Sequence, residues 1–498
     1  MPCIVAEESR EVNISDALSG FAKLKDIRWI LLSATARKVL VDQLRALLPA
    51  GAAVGPCRLR EVRFKPGRKA TAYYEAFVTA ESPEGRHIRP VAVTWGPAAH
   101  PHRQEGAVAL DKLQAEALRR GVAAPFRQLM ADFPEWTMQV SVWPLDARFT
   151  QLVRLSDPQH VRGLLADTEV TAAQARPRSE YSVTAIKYRP GKCHVLRYDP
   201  LDRQAGTVFA KLYIGEERAR AFRREDGARA FRVASKAADW LAEHGEGANC
   251  LRPLAYVAED SVVLYPRVVG APLSDCAQRS RSGVARWLQR AGAALCTLHR
   301  LPAALVGPLG PPHDFAAETR LIAKKSDHIP TLLPRVGSEI EALLDGAREL
   351  HERLPQEPPS FAHGDLKSEH IWVAPGRLTV MDFDTSHLAD PALDVGCFLA
   401  DWQFSYAACD QAELREMRES FLAGYARGAP KERLIRARLY EAIELVKCAV
   451  RRVQLFERGW ASRTAGLVGR AQAVINDLQL SLGLPLRPPI PQESRQLQ

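Results

Sequence analysis

An internal repeat constrains the fold more than any other feature of this chain. Residues 62–74 (VRFKPGRKATAYY) and 186–198 (IKYRPGKCHVLRY) align without gaps at an offset of 124 residues. They share the Pro, the Gly and the final Tyr, and five further positions keep their chemical character. A basic-Pro-Gly-basic turn between runs of β-branched and aromatic residues reads as a β-hairpin. Each copy leads into another β-like run, PVAVTW at 90–95 and TVFAKLY at 207–213. The pattern therefore predicts a three-stranded sheet that occurs twice by duplication, the alternative being chance recurrence of a common turn. The copies differ in mid-strand, where the second carries Lys211 and the first Thr94.

The remaining segments read mainly as helices. Apolar spacing predicts one over 34–50, one or two over the Ala-rich stretch 216–245, and others at 284–301, 337–354 and from 411 to 482. SVVLYPRVVG (261–270) reads as a buried strand running into a connector, and 302–313 and 355–360 read as loops. A chain of 498 residues is too long for one compact core. The divisions expected are an N-terminal α+β domain (1–178), a β-rich lobe (179–270), a helical lobe (271–483) and a disordered tail (484–498).

Between the helical blocks lies a β-rich insertion: FAHGDLKSEHIWV, a turn at Pro375-Gly376, then RLTVMDFDTSHLADPALDVG. IWV and LTVMDF read as short strands around that turn. Asp365 precedes the first and Asp382 ends the second, so a tight hairpin brings the two carboxylates together. Such a pair suits one proton-handling group plus one ligand for a hard cation, which prefers oxygen donors. Asp384 and Asp390 add negative charge, and Asp390-Pro391 has the form of a helix N-cap followed by proline.

HGDL, a strand, then DFD and DPALD in this order resembles the catalytic core of the aminoglycoside phosphotransferase and choline kinase group, relatives of the protein kinases. The likeness spans about residues 180–480. It implies an α+β, two-lobed protein-kinase-like fold with a β-rich N-lobe and a mostly helical C-lobe. The N-terminal α+β domain in front of it resembles the added domain of maltokinase-type sugar kinases. ATP and Mg²⁺ are the cofactors implied. Asp365 would accept or orient the proton of the acceptor hydroxyl, with His363, His370 and Asp394 supporting the loop. Asp382, and more weakly Asp384, would hold the metal. Lys211 would contact the ATP phosphates, Tyr265 and Arg267 would mark the hinge at the adenine, and the turn at Pro190-Gly191 would lie over the nucleotide.

Two positions depart from the family pattern. The glutamate expected to pair with Lys211 aligns with Val233, leaving Glu217 or Glu225 as substitutes. The second metal ligand, usually asparagine, is His370. Imidazole is a poor Mg²⁺ ligand. His370 could bond a phosphate or a metal-bound water, mark a weakened site, or pack while Glu369 reaches inward.

The expected function is ATP-dependent phosphorylation of a hydroxyl on a small molecule: a sugar, an aminoglycoside or an amino alcohol. The alternative is a catalytically weak regulator that binds nucleotide or a protein partner. Acceptor-side candidates are Asp401, Trp402, Glu441, Glu444 and Trp460, residue types that more often belong to a surface or a core. A protein kinase is disfavoured, because only about half a dozen residues separate DFD from DPALD, too few for an activation segment. The formal charge of +10 is spread along the chain without a basic block, which argues against nucleic acid. No run of eighteen apolar residues, no secretory pattern at the N-terminus and nine scattered cysteines without a CxxC are the marks expected of a cytoplasmic protein without a membrane span. Sequence is silent on oligomeric state.

Overall fold

The computed structural model describes residues 13–79, 86–96, 103–168, 180–202, 206–214, 226–279, 283–407 and 410–485. Two compact units emerge: Met1–Phe231 with Pro253–Arg267 and Gln454–Arg458, and Arg232–Arg252 with Val268–Val453 and Gly459–Gln498.

The first unit holds two five-stranded antiparallel sheets. One contains β1 (Ala53–Lys65), β2 (Lys69–Thr79), β3 (Arg86–Trp95), β4 (Met130–Phe133) and β5 (Met138–Val142), in the order β1-β2-β3-β5-β4. The other contains β6 (Tyr181–Arg189), β7 (Cys193–Pro200), β8 (Val208–Leu212), β10 (Ala255–Val257) and β11 (Val262–Pro266), in the order β6-β7-β8-β11-β10. The two orders are the same.

Register extends the match residue by residue. Thr71 faces Thr94, and Val195, at the same place in the repeat, faces Lys211. Next across the sheets, Thr94 faces Gln139 and Lys211 faces Val263, again 124 residues on from Gln139. Asp132 then pairs with Gln139 as Tyr256 pairs with Val263. Even the turn conformations recur: Gly67 and Gly191 have φ of 66° and 68°, and Thr137 and Ser261 have φ of 46° and 45°. Left-handed backbone favours glycine, which explains why Pro-Gly survives in both copies. The duplication is thus five strands deep, where sequence showed three. Strands of three to five residues such as MADF, MQVSV and AYV carry too little alternation to be read alone.

One hydrophobic cluster serves both sheets. Tyr73 and Ala92 of the first sheet are buried in the same cluster as Tyr181, Leu196, Tyr198 and Leu264 of the second, with Trp143, Phe149, Leu152 and Val161 from the connecting segment. That segment is also stitched on by polar bonds. Buried Asp146 accepts from the Gly191 N–H at 2.6 Å and the Arg148 N–H at 2.8 Å, and lies 2.7 Å from His194 Nε2. Tyr188 and Tyr198 donate their hydroxyl hydrogens to the Leu145 and Leu155 carbonyls, at 2.7 and 3.0 Å.

The second unit is mainly helical, with Val284–Leu298, Pro334–Glu352, Ala392–Ser405, Gln411–Ala426, Lys431–Arg451 and Trp460–Ser481 its longest complete helices. Two small sheets accompany them. β12 (Ala271–Pro272), β14 (Ile371–Ala374), β15 (Arg377–Val380) and β9 (Ala248–Cys250) form one, in that order, and β13 (Ser360–Ala362) with β16 (His387–Ala389) forms the other. Helix Ala392–Ser405 is buried nearly throughout and serves as core.

Most predicted helices lie where apolar spacing puts them, with differences at the edges. A short helix, Ala303–Val306, occupies the stretch expected as loop. The helix expected from 216 is seen as Gly227–His244, and 215–225, with Glu217 and Glu225, lie outside the described residues. So does the tail beyond 485. Pro391 occupies the cap of Ala392–Ser405, one residue later than DP suggests, while Asp390 still accepts the Ala392 N–H at 3.0 Å.

Phe149, 2% exposed on the connector, packs edge-on to His194 at 4.7 Å. Phe149→Ala is expected to cost about 3–5 kcal/mol in urea unfolding, with faster amide exchange in both sheets and not in the first alone.

Candidate active site

Asp394 organises the loop that follows β13. Its carboxylate is fully buried and accepts from the His363 N–H at 2.6 Å and the Gly364 N–H at 2.7 Å. His299 Nε2 lies 3.1 Å from it, and His299 Nδ1 is 2.7 Å from the Tyr425 hydroxyl. Burial disfavours the charged carboxylate, but the bonds from His299 and the loop amides outweigh it and hold the pKa below the ordinary 3.8. Gly364 has φ +80°, and a Cβ there would stand 2.4 Å from the Thr385 carbonyl oxygen and 2.7 Å from the His387 ring. No other residue fits that position without displacing its neighbours.

His363 ties this loop to the following hairpin. Its Nε2–H donates to the Met381 carbonyl at 3.0 Å, which leaves Nδ1 to accept the Asp365 N–H at 3.4 Å. β14 and β15 pair from Ile371–Val380 to Ala374–Arg377 around Pro375-Gly376, as the sequence suggests. The ladder continues through Met381 N–H to the His370 carbonyl at 2.9 Å and delivers Asp382, whose φ of +69° is unusual for a non-glycine residue.

His370 stands between the two predicted carboxylate positions. Its Nδ1 is 2.9 Å from the Asp365 carbonyl oxygen and its Nε2 is 3.6 Å from Asp382 Oδ2. A carbonyl can only accept, so Nδ1 carries hydrogen and the neutral ring presents its lone pair at Nε2. Burial lowers the His370 pKa, with the Asp382 carboxylate opposing, so the neutral form is favoured. The ring faces the Asp382 carboxylate, and Glu369 beside it is exposed.

Sequence reading passes over Lys367 and Ser368 here. Lys367 Nζ is 2.8 Å from Asp365 Oδ2. Burial raises the Asp365 pKa, but the Lys367 ammonium outweighs it and keeps the carboxyl below the ordinary range. Asp401, weighed as an acceptor-side residue, instead braces the loop: Ser368 donates its N–H at 2.8 Å and its hydroxyl at 2.7 Å to the same carboxylate oxygen. A lysine two residues past a candidate base is a legible signal, whereas the Ser368–Asp401 pairing over 33 residues is not.

The other acceptor-side candidates are internal as well. Trp402 and Trp460 are core, Glu441 pairs with Arg438 at 2.6 Å, and Glu444 lies 3.0 Å from Lys447, whose ammonium also meets Glu318 at 2.9 Å. Burial pushes the Glu444 pKa up to about 8. Asp390 accepts from buried Arg436 at 2.7 Å, and Arg436 also donates to Glu357 and the Pro355 carbonyl.

In the first unit, Lys211 and Tyr265 lie on one face of the second sheet, since Lys211 faces Val263 and Tyr265 is two residues along the same strand. Arg267 is exposed just beyond that strand, and Val233 is fully buried in its helix.

Residues 202–435 match the model of the phosphotransferase enzyme family. Over this span, a little under half of the chain, the sequence is similar to that family. The likeness read from HGDL, DFD and DPALD holds over this span, and the chain is accordingly an enzyme of phosphoryl transfer to an alcohol group of a small molecule. No curated protein matches it in sequence. Solved structures similar to the phosphotransferase include a choline/ethanolamine kinase family protein from Mesorhizobium loti, at 17% identity and TM-score 0.42, covering 65% of this chain and 97% of that one. A choline kinase from Cryptosporidium parvum is similar at 12% identity and TM-score 0.45, covering 66% and 97%. A macrolide 2'-phosphotransferase from Brachybacterium faecium is similar at 16% identity and TM-score 0.36, covering 64% and 98%.

Among the described residues no three of His, Cys, Asp and Glu converge on one point. An ion held beside His370 and Asp382 would have to draw most of its ligands from nucleotide phosphates and water.

Asp394→Asn removes the charge to which three donors point. It is expected to cost about 3 kcal/mol at pH 7 in urea unfolding. The depressed carboxyl stabilises the fold fully above about pH 4 and loses that contribution as pH falls through the folded value. The deficit of the variant against the parent should therefore shrink towards pH 2.

Proposed function

We propose that the phosphotransferase uses ATP and Mg²⁺ or a related divalent ion to phosphorylate a hydroxyl of a neutral or weakly charged small molecule, of the sugar or amino-alcohol kind. The observation that carries the reading is the Asp365–His370–Asp382 arrangement. One half-buried carboxylate is kept ionised, and a second carboxylate is delivered by a rigid hairpin on the far side of one imidazole.

In this reading Asp365 orients the acceptor hydroxyl and takes its proton as the γ-phosphoryl group arrives. Lys367, beside that carboxylate, balances charge on the incoming phosphoryl oxygens. Asp382 holds the ion that neutralises the phosphates. His363 and Asp394 position the loop through the bonds described. Lys211 contacts the phosphates, Tyr265 and Arg267 mark the adenine side, and Asp384 is a weaker metal candidate. Phosphoryl transfer needs mainly positioning and charge neutralisation, so these groups suffice.

The preference for an uncharged acceptor follows from the helix Lys431–Arg451. A polycationic substrate needs a surplus of unpaired acid, and here Glu441 and Glu444 are buried against Arg438 and Lys447.

With ATP, Mg²⁺ and a panel of sugars, amino alcohols and aminoglycosides, acceptor-dependent ADP release is expected for at least one neutral alcohol. Asp365→Asn should lower kcat by a factor of about 10² or more with nucleotide binding intact. Lys211→Ala should mainly weaken ATP binding. Nucleotide binding without turnover across the panel would count against the reading.

A further inference from the structure

We propose that His370 is a direct nitrogen ligand, beside Asp382, of a divalent transition-metal ion bound with the nucleotide, so that this loop prefers an Mn²⁺-type ion over Mg²⁺. The inference rests on the phosphoryl-transfer reading and deepens it.

Donor geometry is the first support. With hydrogen on Nδ1 committed to the Asp365 carbonyl at 2.9 Å, the lone pair at Nε2 points to the side occupied by Asp382. The 3.6 Å between Nε2 and Asp382 Oδ2 is too long for a good hydrogen bond. Neighbouring ligands about 2.1 Å from an octahedral ion stand about 3.0 Å apart, so a shift of about 0.6 Å by the Asp382 carboxylate would bring both donors onto one ion.

Rigidity is the second. His370 is 9% exposed, its backbone N–H donates to the Lys367 carbonyl at 3.0 Å, and its backbone carbonyl accepts from the Met381 N–H at 2.9 Å. Swinging the imidazole away would break the Nδ1 bond, so Nε2 is held at the metal side before any ion arrives. The nearest competing cation, Lys367, turns its ammonium to Asp365 at 2.8 Å. Glu369 also lies near, with its Oε1 3.9 Å from Nε2.

Donor chemistry then sets the choice of ion. Mg²⁺ demands near-ideal octahedral oxygen coordination, whereas imidazole nitrogen suits first-row transition ions, whose affinity rises from Mn²⁺ through Fe²⁺ and Co²⁺. An asparagine at this position would offer an amide oxygen; His370 offers nitrogen.

Pulsed electron paramagnetic resonance of the full chain with Mn²⁺ and a non-hydrolysable ATP analogue tests this directly. Phosphorus couplings from the nucleotide and a nitrogen coupling from a bound imidazole are expected together. Labelling the histidines with ¹⁵N should convert the nitrogen pattern without any substitution. His370→Asn should abolish the nitrogen coupling, keep the phosphorus couplings, and weaken Mn²⁺ binding about tenfold or more while changing Mg²⁺ binding less than about threefold. Phosphorus couplings without imidazole nitrogen in the parent would overturn the inference and leave phosphoryl transfer standing. Absence of phosphorus couplings would overturn both.

Discussion

The candidate site depends on one buried carboxylate. Asp394 lies on a helix that is almost wholly core and reaches back thirty residues to take the amide hydrogens of His363 and Gly364. Those amides cannot be satisfied by regular structure, because the backbone turns left-handed at Gly364 between β13 and the loop. An unpaired buried amide is costly, so the charge settles the loop's shape, and the shape sets where Asp365 begins. His363 and His370 then carry that order sideways, each using one ring nitrogen on a backbone carbonyl. Asp365 and Asp382 are oriented by a relay of backbone contacts that starts in the hydrophobic core.

The first unit carries two different side-chain faces on one strand framework. Strand order, register and turn conformations persist at an offset of 124 residues, yet Thr94 takes the place of Lys211. Around it, Thr71, Gln139 and Asp132 form a polar row where the second sheet has Val195, Val263 and Tyr256. Backbone pairing is insensitive to such changes, since ladder bonds use main-chain atoms alone. The scaffold was kept while the side chains on one face were free to diverge.

What could be read in the sequence followed from how local the cause was. The Pro-Gly hairpins and the β14–β15 turn announce themselves within a dozen residues, and so does the sequence spacing of Asp365 and Asp382. The fourth and fifth strands of each sheet did not, because they are short and their partners lie far along the chain. The role of Asp401 is illegible for the same reason: its partner, Ser368, is set by packing of the helix Ala392–Ser405 against the loop and leaves no trace in spacing. The departure at His370 was visible as a residue, but its meaning lay in ring orientation, which only the Asp365 carbonyl decides.

The shared cluster beneath the two sheets has a consequence for modularity. The family match opens at residue 202, between β7 and β8, so the boundary drawn by homology cuts through a sheet. Tyr198, fully buried before that point, is covered in part by the segment that follows the first sheet. Recombination at such a boundary would not move a working lobe to a new host. The second sheet keeps its core only with the first sheet and the connecting segment attached, which makes the pair one heritable piece.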